Sequence, residues 1–208
     1  MSLDTKEKIL DTAEKLFGEQ GYGATSLRQI IAEAGVNLAA VHYHFGSKEE
    51  LLDAVVVRKL SPINEERLAL LDGAMADAGG ITIESCLEAF LRPAIMRASK
   101  DAPFCKLMGR LLGERLMELM VVKHFQHVAP RFIEALHRAL PDLPDEELAW
   151  RVHFLIGAMA HTLHGPPETP GLPTPITDPE LLLRRIVTFL SAGFQAPVTV
   201  ERAIEVTQ

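Results

Sequence analysis

Leu27, Ile30, Ile31 and Ala34 stand at i, i+3, i+4 and i+7, the spacing that gathers apolar side chains on one face of a helix. Gly35 follows at once and can take the left-handed conformation that closes a helix. Asn37 is placed to cap a second helix, one that buries Val41 and Phe45 and leaves Leu38, Ala39, Ala40, His42 and Tyr43 largely uncovered. Residues 25–48 therefore predict a helix-turn-helix, the motif whose second helix enters the DNA major groove.

The surrounding sequence extends this helical reading. From Asp4 to about Gln20, Ile9, Ala13, Leu16 and Phe17 share one face, and Gly21-Tyr22-Gly23 ends the segment. Thr25 or Ser26 caps the next helix, Ser26 with Gln29 fitting a capping box. Ser47-Lys48-Glu49-Glu50 is a second capping box, opening a longer helix through Leu51, Leu52, Val55 and Val56 and on into the sixties. A looser stretch at 72–80 breaks the pattern. Helices are predicted near 82–99, 103–120, 125–140, 144–164 and 178–195, and the Pro/Gly-rich run 165–175 is predicted to be a long loop. No strand or internal repeat emerges. The expected fold class is all-α: an N-terminal three-helix helix-turn-helix DNA-binding domain at 1–46, then a helical ligand-binding and dimerisation domain at 47–208.

Charge qualifies the nucleic-acid reading. The formal net charge is −7, and residues 1–60 hold seven Lys/Arg against nine Asp/Glu. Between Thr25 and Lys48, however, Arg28 and Lys48 face only Glu33, with His42 and His44 beside them. Affinity depends on the charges that meet phosphate, so a small local patch suffices. Hydrophobic residues at 48% and charged ones at 24% are those of an ordinary globular chain. No apolar run reaches the length of a membrane span and no signal-peptide pattern opens the chain. Cys86 and Cys105 form no C-x-x-C pair, so a disulfide framework is not expected and a cytoplasmic location is.

Within the motif each polar residue has more than one role open to it. Thr25 and Ser26 sit where hydroxyls and backbone N–H groups bind phosphate, and where they also simply cap. Arg28, one turn further, reaches either backbone, groove edge or solvent. Tyr43 can pack its ring on sugar and bond phosphate through its hydroxyl; His44 can do the latter or cap its helix. Lys48 lies at a helix start, where the dipole disfavours a cation, and a DNA phosphate would explain it. Leu38, Ala39, Ala40 and His42 are the candidates for base readout, with small side chains allowing close approach to thymine methyls. Asn37 can read adenine, although capping is its first role.

Thr25-Ser26-Leu27-Arg28-Gln29-Ile30, Ala34-Gly35-Val36-Asn37 and Val41-His42-Tyr43-His44-Phe45-Gly46-Ser47-Lys48 resemble, in order and spacing, the head of TetR-family one-component transcriptional regulators. More narrowly, residues 143–158 and 35–41 are similar to the Pseudomonas sigma regulator (PsrA) group. The resemblance implies a homodimer on a palindromic double-stranded DNA operator and a small-molecule effector, of fatty-acid or acyl type for the narrower group. It implies an apolar cavity among the central helices, for which Met96, Phe104, Leu107, Met108, Leu111, Phe125 and Phe154 are candidates, with Phe132 and Met159. His153 and His161 are candidate polar anchors, as are Arg110, Arg115 and His164. Apolar residues at helical spacing equally form plain core. The dimer would pair the last two long helices through Ala158, Thr162, Leu182, Arg185, Ile186, Phe189 and Gly193; the same faces could close the monomer's core.

The pairs His124/His127 and His161/His164 lack a carboxylate or cysteine at ligand spacing, so no metal or other cofactor is expected. No G-x-S-x-G, H-E-x-x-H, phosphate loop or dinucleotide fingerprint points to an enzyme. The remaining alternative is a helical protein–protein module that does not bind DNA.

Overall fold

A computed structural model describes residues 2–113, 123–163, 170–171 and 178–198, and among these every regular element is an α-helix. The first, α1 (Ser2–Gln20), buries Ile9, Leu10, Ala13, Leu16 and Phe17, the predicted face, and the chain turns at Gly21 with φ 89°. In α2 (Leu27–Ala34) the Ser26 hydroxyl accepts from the Gln29 N–H while the Gln29 side chain accepts from the Ser26 N–H, and Gly35 closes the helix at φ 64°. After the turn comes α3 (Leu38–Phe45), whose first turn is satisfied by Asn37 Oδ1 accepting from the Ala40 N–H at 2.8 Å. The Ser47–Glu50 capping box then opens α4 (Lys48–Ala76).

At 29 residues α4 outruns its prediction, continuing through Asp72 and Gly73 where the sequence loosens. Glycine costs a helix about 1 kcal/mol relative to alanine, and tertiary contact outweighs it. Leu71 is fully buried and Asp72 pairs at the surface with Arg131. Next come α5 (Ile83–Ala98), with its Thr82–Ser85 cap, and α6 (Ala102–Gly113). The predicted continuation of α6 toward 120 lies outside the described residues. The following helix, α7 (Ala129–Ala139), starts four residues later than predicted: a turn at 126–128 parts it from helical residues 123–125, and Pro130 suits the first turn of a new helix because its missing N–H is not needed there. Asp145, Glu146 and Glu147 open α8 (Asp145–Leu163), and Asp178 caps α9 (Pro179–Phe194). Of the predicted loop, only residues 170–171 are described, in a turn with Gly171 at φ 84°.

Two apolar clusters organise these helices. One joins α1, α2 and α3 to α4 as far as Ile63, and draws in Leu107, Met108 and Leu111 of α6. The other joins the far end of α4, through Leu71, to α5, α7, α8 and α9. α6 lies so close on α1 that a Cβ added at Gly18 would sit 3.2 Å from the Leu107 backbone nitrogen. Ion pairs reinforce the α1–α4 contact: Arg58 meets Glu7, Asp11 and Glu14, and Lys59 meets Glu14 and Asp101. The three-helix head is thus fastened to α4 and α6 rather than tethered by a linker.

Candidate functional site

With Val41 and Phe45 anchored in the core and Asn37 and Gly46 closing its ends, α3 turns its other face outward. Tyr43 is 83% and Leu38 52% exposed, and Ala39 and His42 lie on the same open side. Such side chains add little to folding. The Tyr43 ring stands edge-on to His44, 5.1 Å between centroids, which limits its orientations. Arg28 and Ser26 are exposed beside this face on α2.

Four residues of the predicted DNA surface make contacts within the chain that the sequence does not show. Thr25 is 1% exposed, its hydroxyl donating to the Leu16 and Gly21 carbonyls at the end of α1, so it faces the core rather than a phosphate. Ala40 is half-buried against the head's core. His42 is exposed, but its Nδ1 donates to the Gly46 carbonyl at 2.8 Å, closing its own helix. Lys48 donates to the Tyr22 carbonyl with its ammonium 4.1 Å from the Tyr22 ring centroid. The Tyr22 hydroxyl in turn donates to Glu49 at 2.8 Å; burial, helped by that carboxylate, pushes its pKa up to about 12. The cation that seemed misplaced at a helix start is thereby compensated within the chain.

Beneath the head, α4, α5, α6, α7 and α8 line a cavity of about 470 Å³, within the range of small-molecule sites. Its wall is almost wholly apolar, with Leu60, Phe90, Met108, Phe125, Phe132 and Met159 among the lining. Met108 and Phe125 are therefore where the sequence placed them, as are Phe132 and Met159. Leu107 and Leu111 point instead into the head's core, and Met96 packs on the edge of the second cluster. His153, Phe154 and His161 lie on the exposed side of α8, away from the cavity, because Leu155 and Met159 occupy its inner stripe. The Phe104 side chain, like Arg110, Arg115 and His164, is outside what the structure describes.

The cavity's one charged side chain among the described residues is Arg67, which the sequence reading passed over. It is 1% exposed. Its Nε donates to the Phe90 carbonyl at 2.8 Å, Nη1 to Asn64 Oδ1 at 3.1 Å and Nη2 to Met159 Sδ at 3.4 Å, while its guanidinium carbon lies 4.2 Å from the Phe90 ring centroid. Burial pulls its pKa down to about 9, so it remains a cation at neutral pH. A signal was present: Leu60, Ile63, Arg67 and Leu71 form a helical stripe of which three members are plainly core. Cys86 also lines the wall, its thiol pushed up to about 11 by burial and by Glu84.

Outside α8 and α9 a third feature appears. Trp150 and Phe154 stack with centroids 5.9 Å apart at 29°, and on α9 Phe189 is 73% exposed. Arg185 and Gly193 are exposed on α9, and Thr162 is half-buried. Ala158 and Leu182 pack partly on the second cluster, whereas Ile186, at 8% exposure, is core and not surface. His124, considered above as half of a metal pair, bonds Asp53 on α4 at 2.8 Å through Nε2.

Comparison with known proteins places these features. Residues 9–55 match the family described as bacterial regulatory proteins, tetR family, and residues 88–193 match the tetracyclin repressor-like C-terminal domain. The chain is 38% identical over 79 residues to the HTH-type transcriptional regulator LmrA of Bacillus subtilis, covering 38% of this chain and 42% of that protein. It is 33% identical over 69 residues to the HTH-type transcriptional regulator BetI of Rhizobium meliloti, covering 33% of this chain and 34% of that one. These matches thus span less than half of the relatives' length. Two solved structures share the fold along most of the chain. The fatty acid degradation regulator FadR from Bacillus halodurans has TM-score 0.66 and 15% identity, over 92% of this chain and 97% of that one. A transcriptional regulator from Aquifex aeolicus has TM-score 0.57 and 22% identity, over 91% and 96%. With more than half the chain matched, head and body alike, this protein belongs to the tetR family of bacterial regulatory proteins.

Proposed function

We propose that the chain is a ligand-responsive, sequence-specific DNA-binding transcriptional regulator: a homodimeric repressor that a small apolar effector of acyl type releases from a palindromic operator. Residues 1–46 serve as the DNA-binding domain, and residues 47–208 bind the effector and form the dimer. Tyr43, Leu38, Ala39 and His42, with Ser26, Arg28 and His44, make the DNA-facing surface. The exposed aromatic face of α8 and α9 pairs with its copy to set the spacing of two heads. The narrower likeness to the Pseudomonas sigma regulator group and the fold shared with a fatty acid degradation regulator both favour the acyl effector.

The observation that carries this reading is the placement of α6. One helix presents Met108 to the cavity and Leu107 and Leu111 to the core of the head. A molecule filling the cavity bears on Met108, and any shift of α6 disturbs its close seat on Gly18 of α1. Close-packed cores pass on such shifts rather than absorbing them. An effector that favours the displaced arrangement by about 1–3 kcal/mol gives regulation of the usual size.

Fluorescence anisotropy with duplexes from the region flanking the chain's own gene tests the reading. Saturable binding to a palindrome is expected, with loss of affinity in Tyr43→Ala and Arg28→Ala that leaves the thermal transition unchanged. Absence of binding to any palindromic duplex, by protein that is folded and dimeric, would refute it in favour of a protein–protein module.

A further inference from the structure

We infer that the cavity takes an amphipathic monoanion, a chain of about a dozen carbons ending in a free carboxylate, with its head on Arg67 and its body along the apolar wall. This rests on reading the cavity as the effector site, and it distinguishes a free acid from the neutral acyl and alcohol forms that the same wall would accept.

The first argument concerns donors. A guanidinium carries five N–H groups in a fixed fork. Those of Arg67 meet the Phe90 carbonyl, the Asn64 side-chain oxygen and the Met159 sulfur. Two oxygens and a thioether, itself a weak acceptor, leave the fork underused.

The second argument concerns charge. An isolated buried cation is strongly unfavourable unless paired, and among the described residues no carboxylate is paired with Arg67. The Phe90 and Phe125 rings, at 4.2 and 5.2 Å, soften the cost without neutralising the charge. A carboxylate fits an arginine fork with two parallel bonds. With a single cation on the described wall, a dianionic phosphate would be left half-compensated.

The third argument concerns size. At about 30 Å³ per water-sized group, the volume holds on the order of fifteen such groups, enough for a twelve-carbon acid. The head would replace Met159 Sδ, while Asn64, which also donates to the His124 carbonyl at 3.2 Å, keeps Arg67 in register with the segment that carries Phe125. A purely structural role competes. Pro93, inside α5, has no N–H to offer the Ala89 carbonyl, and Arg67 bonds the neighbouring Phe90 carbonyl.

Calorimetric titration of the delipidated protein with dodecanoate, 1-dodecanol, dodecyl phosphate and dodecyltrimethylammonium decides between these. Dodecanoate is expected to bind the unaltered protein about tenfold or more tighter than dodecanol, with the ammonium weakest. Arg67→Met should erase that preference while still binding dodecanol, and Arg67→Lys should keep part of it. Equal affinity for dodecanoate and dodecanol would overturn the assignment of the head group yet leave the cavity as an apolar effector site. A preference that persists in Arg67→Met, or tighter binding of dodecyl phosphate, would also overturn it. Failure of every probe to bind would overturn both readings. Should Arg67→Met not fold, the acid-to-alcohol ratio of the unaltered protein and of Arg67→Lys still gives the answer.

Discussion

Phe189 and Ile186 stand one turn apart on α9, and the family resemblance offers both for a dimer interface, with the monomer's core as the other reading of the same face. Their exposures of 73% and 8% separate them. A fully covered phenylalanine buries about 150–250 Å². At 73% exposure, covering the remainder removes roughly 150 Å² per protomer, worth at most ~4 kcal/mol at 25 cal/mol per Å². Truncation at the centre of an interface more often costs about 2 kcal/mol, or roughly thirtyfold in the dissociation constant. Phe189→Ala should therefore weaken self-association by at least that factor in sedimentation velocity, and lower operator affinity with it. The transition temperature of the dissociated protomer should not move. Ile186→Ala should do the reverse, lowering the stability of the fold by about 2–5 kcal/mol, as for other buried isoleucines cut to alanine. Because a dimer's transition temperature depends on concentration, both variants are best melted across a dilution series. If Phe189→Ala leaves association untouched while Ile186→Ala dissociates a protomer of unchanged stability, the assignment of this face is wrong.

Three further outcomes follow from the geometry. Thr25→Val keeps the shape but removes the hydroxyl that serves the Leu16 and Gly21 carbonyls; chemical denaturation should show a loss of about 1–3 kcal/mol, with operator affinity of the folded protein unchanged. Gly18→Ala places a methyl 3.2 Å from a backbone nitrogen that cannot swing aside, so stability should fall by about 1–3 kcal/mol and the effector concentration needed for release should shift. Burial raises the Asp53 carboxyl, but hydrogen bonds from Lys123 and His124 outweigh this and hold it below the ordinary carboxylate range. A group depressed in the folded state stabilises above its unfolded pKa, near 4, and loses that contribution as pH falls through the folded value. Asp53→Asn should accordingly flatten the acid limb of a stability–pH profile and leave the region above pH 8 parallel to that of the unaltered chain.

The head was legible because its information is local. Capping boxes at Ser26 and Ser47, the Asn37 cap and Gly35 each act within four residues, and the apolar spacing of α1 and α2 names its own buried face. Where a side chain's partner is distant in sequence, local reasoning misassigned it. Lys48 looked unpaired because Tyr22, in the turn after α1, stands 26 residues earlier, and Thr25 looked outward because the carbonyls it serves end α1. The length of α4 past Asp72 depends in the same way on Leu71 and on Arg131, contacts that no helix propensity encodes.

The body shows the limit most clearly. Helical spacing identifies apolar stripes, and for α8 and α9 it places the helices themselves. It cannot say whether a stripe meets a cavity, a core or a second protomer, since all three favour the same residues. Only the packing of α4 through α8 around a cavity separates Met108 from Leu107, one residue away, and Phe189 from Ile186, one turn away. Arg67 is the sharpest instance. In the sequence it is a charged residue on a long helix, normally a solvated one; in the fold it is the one charge on an apolar wall among the described residues, 1% exposed because the neighbouring helices pack around it.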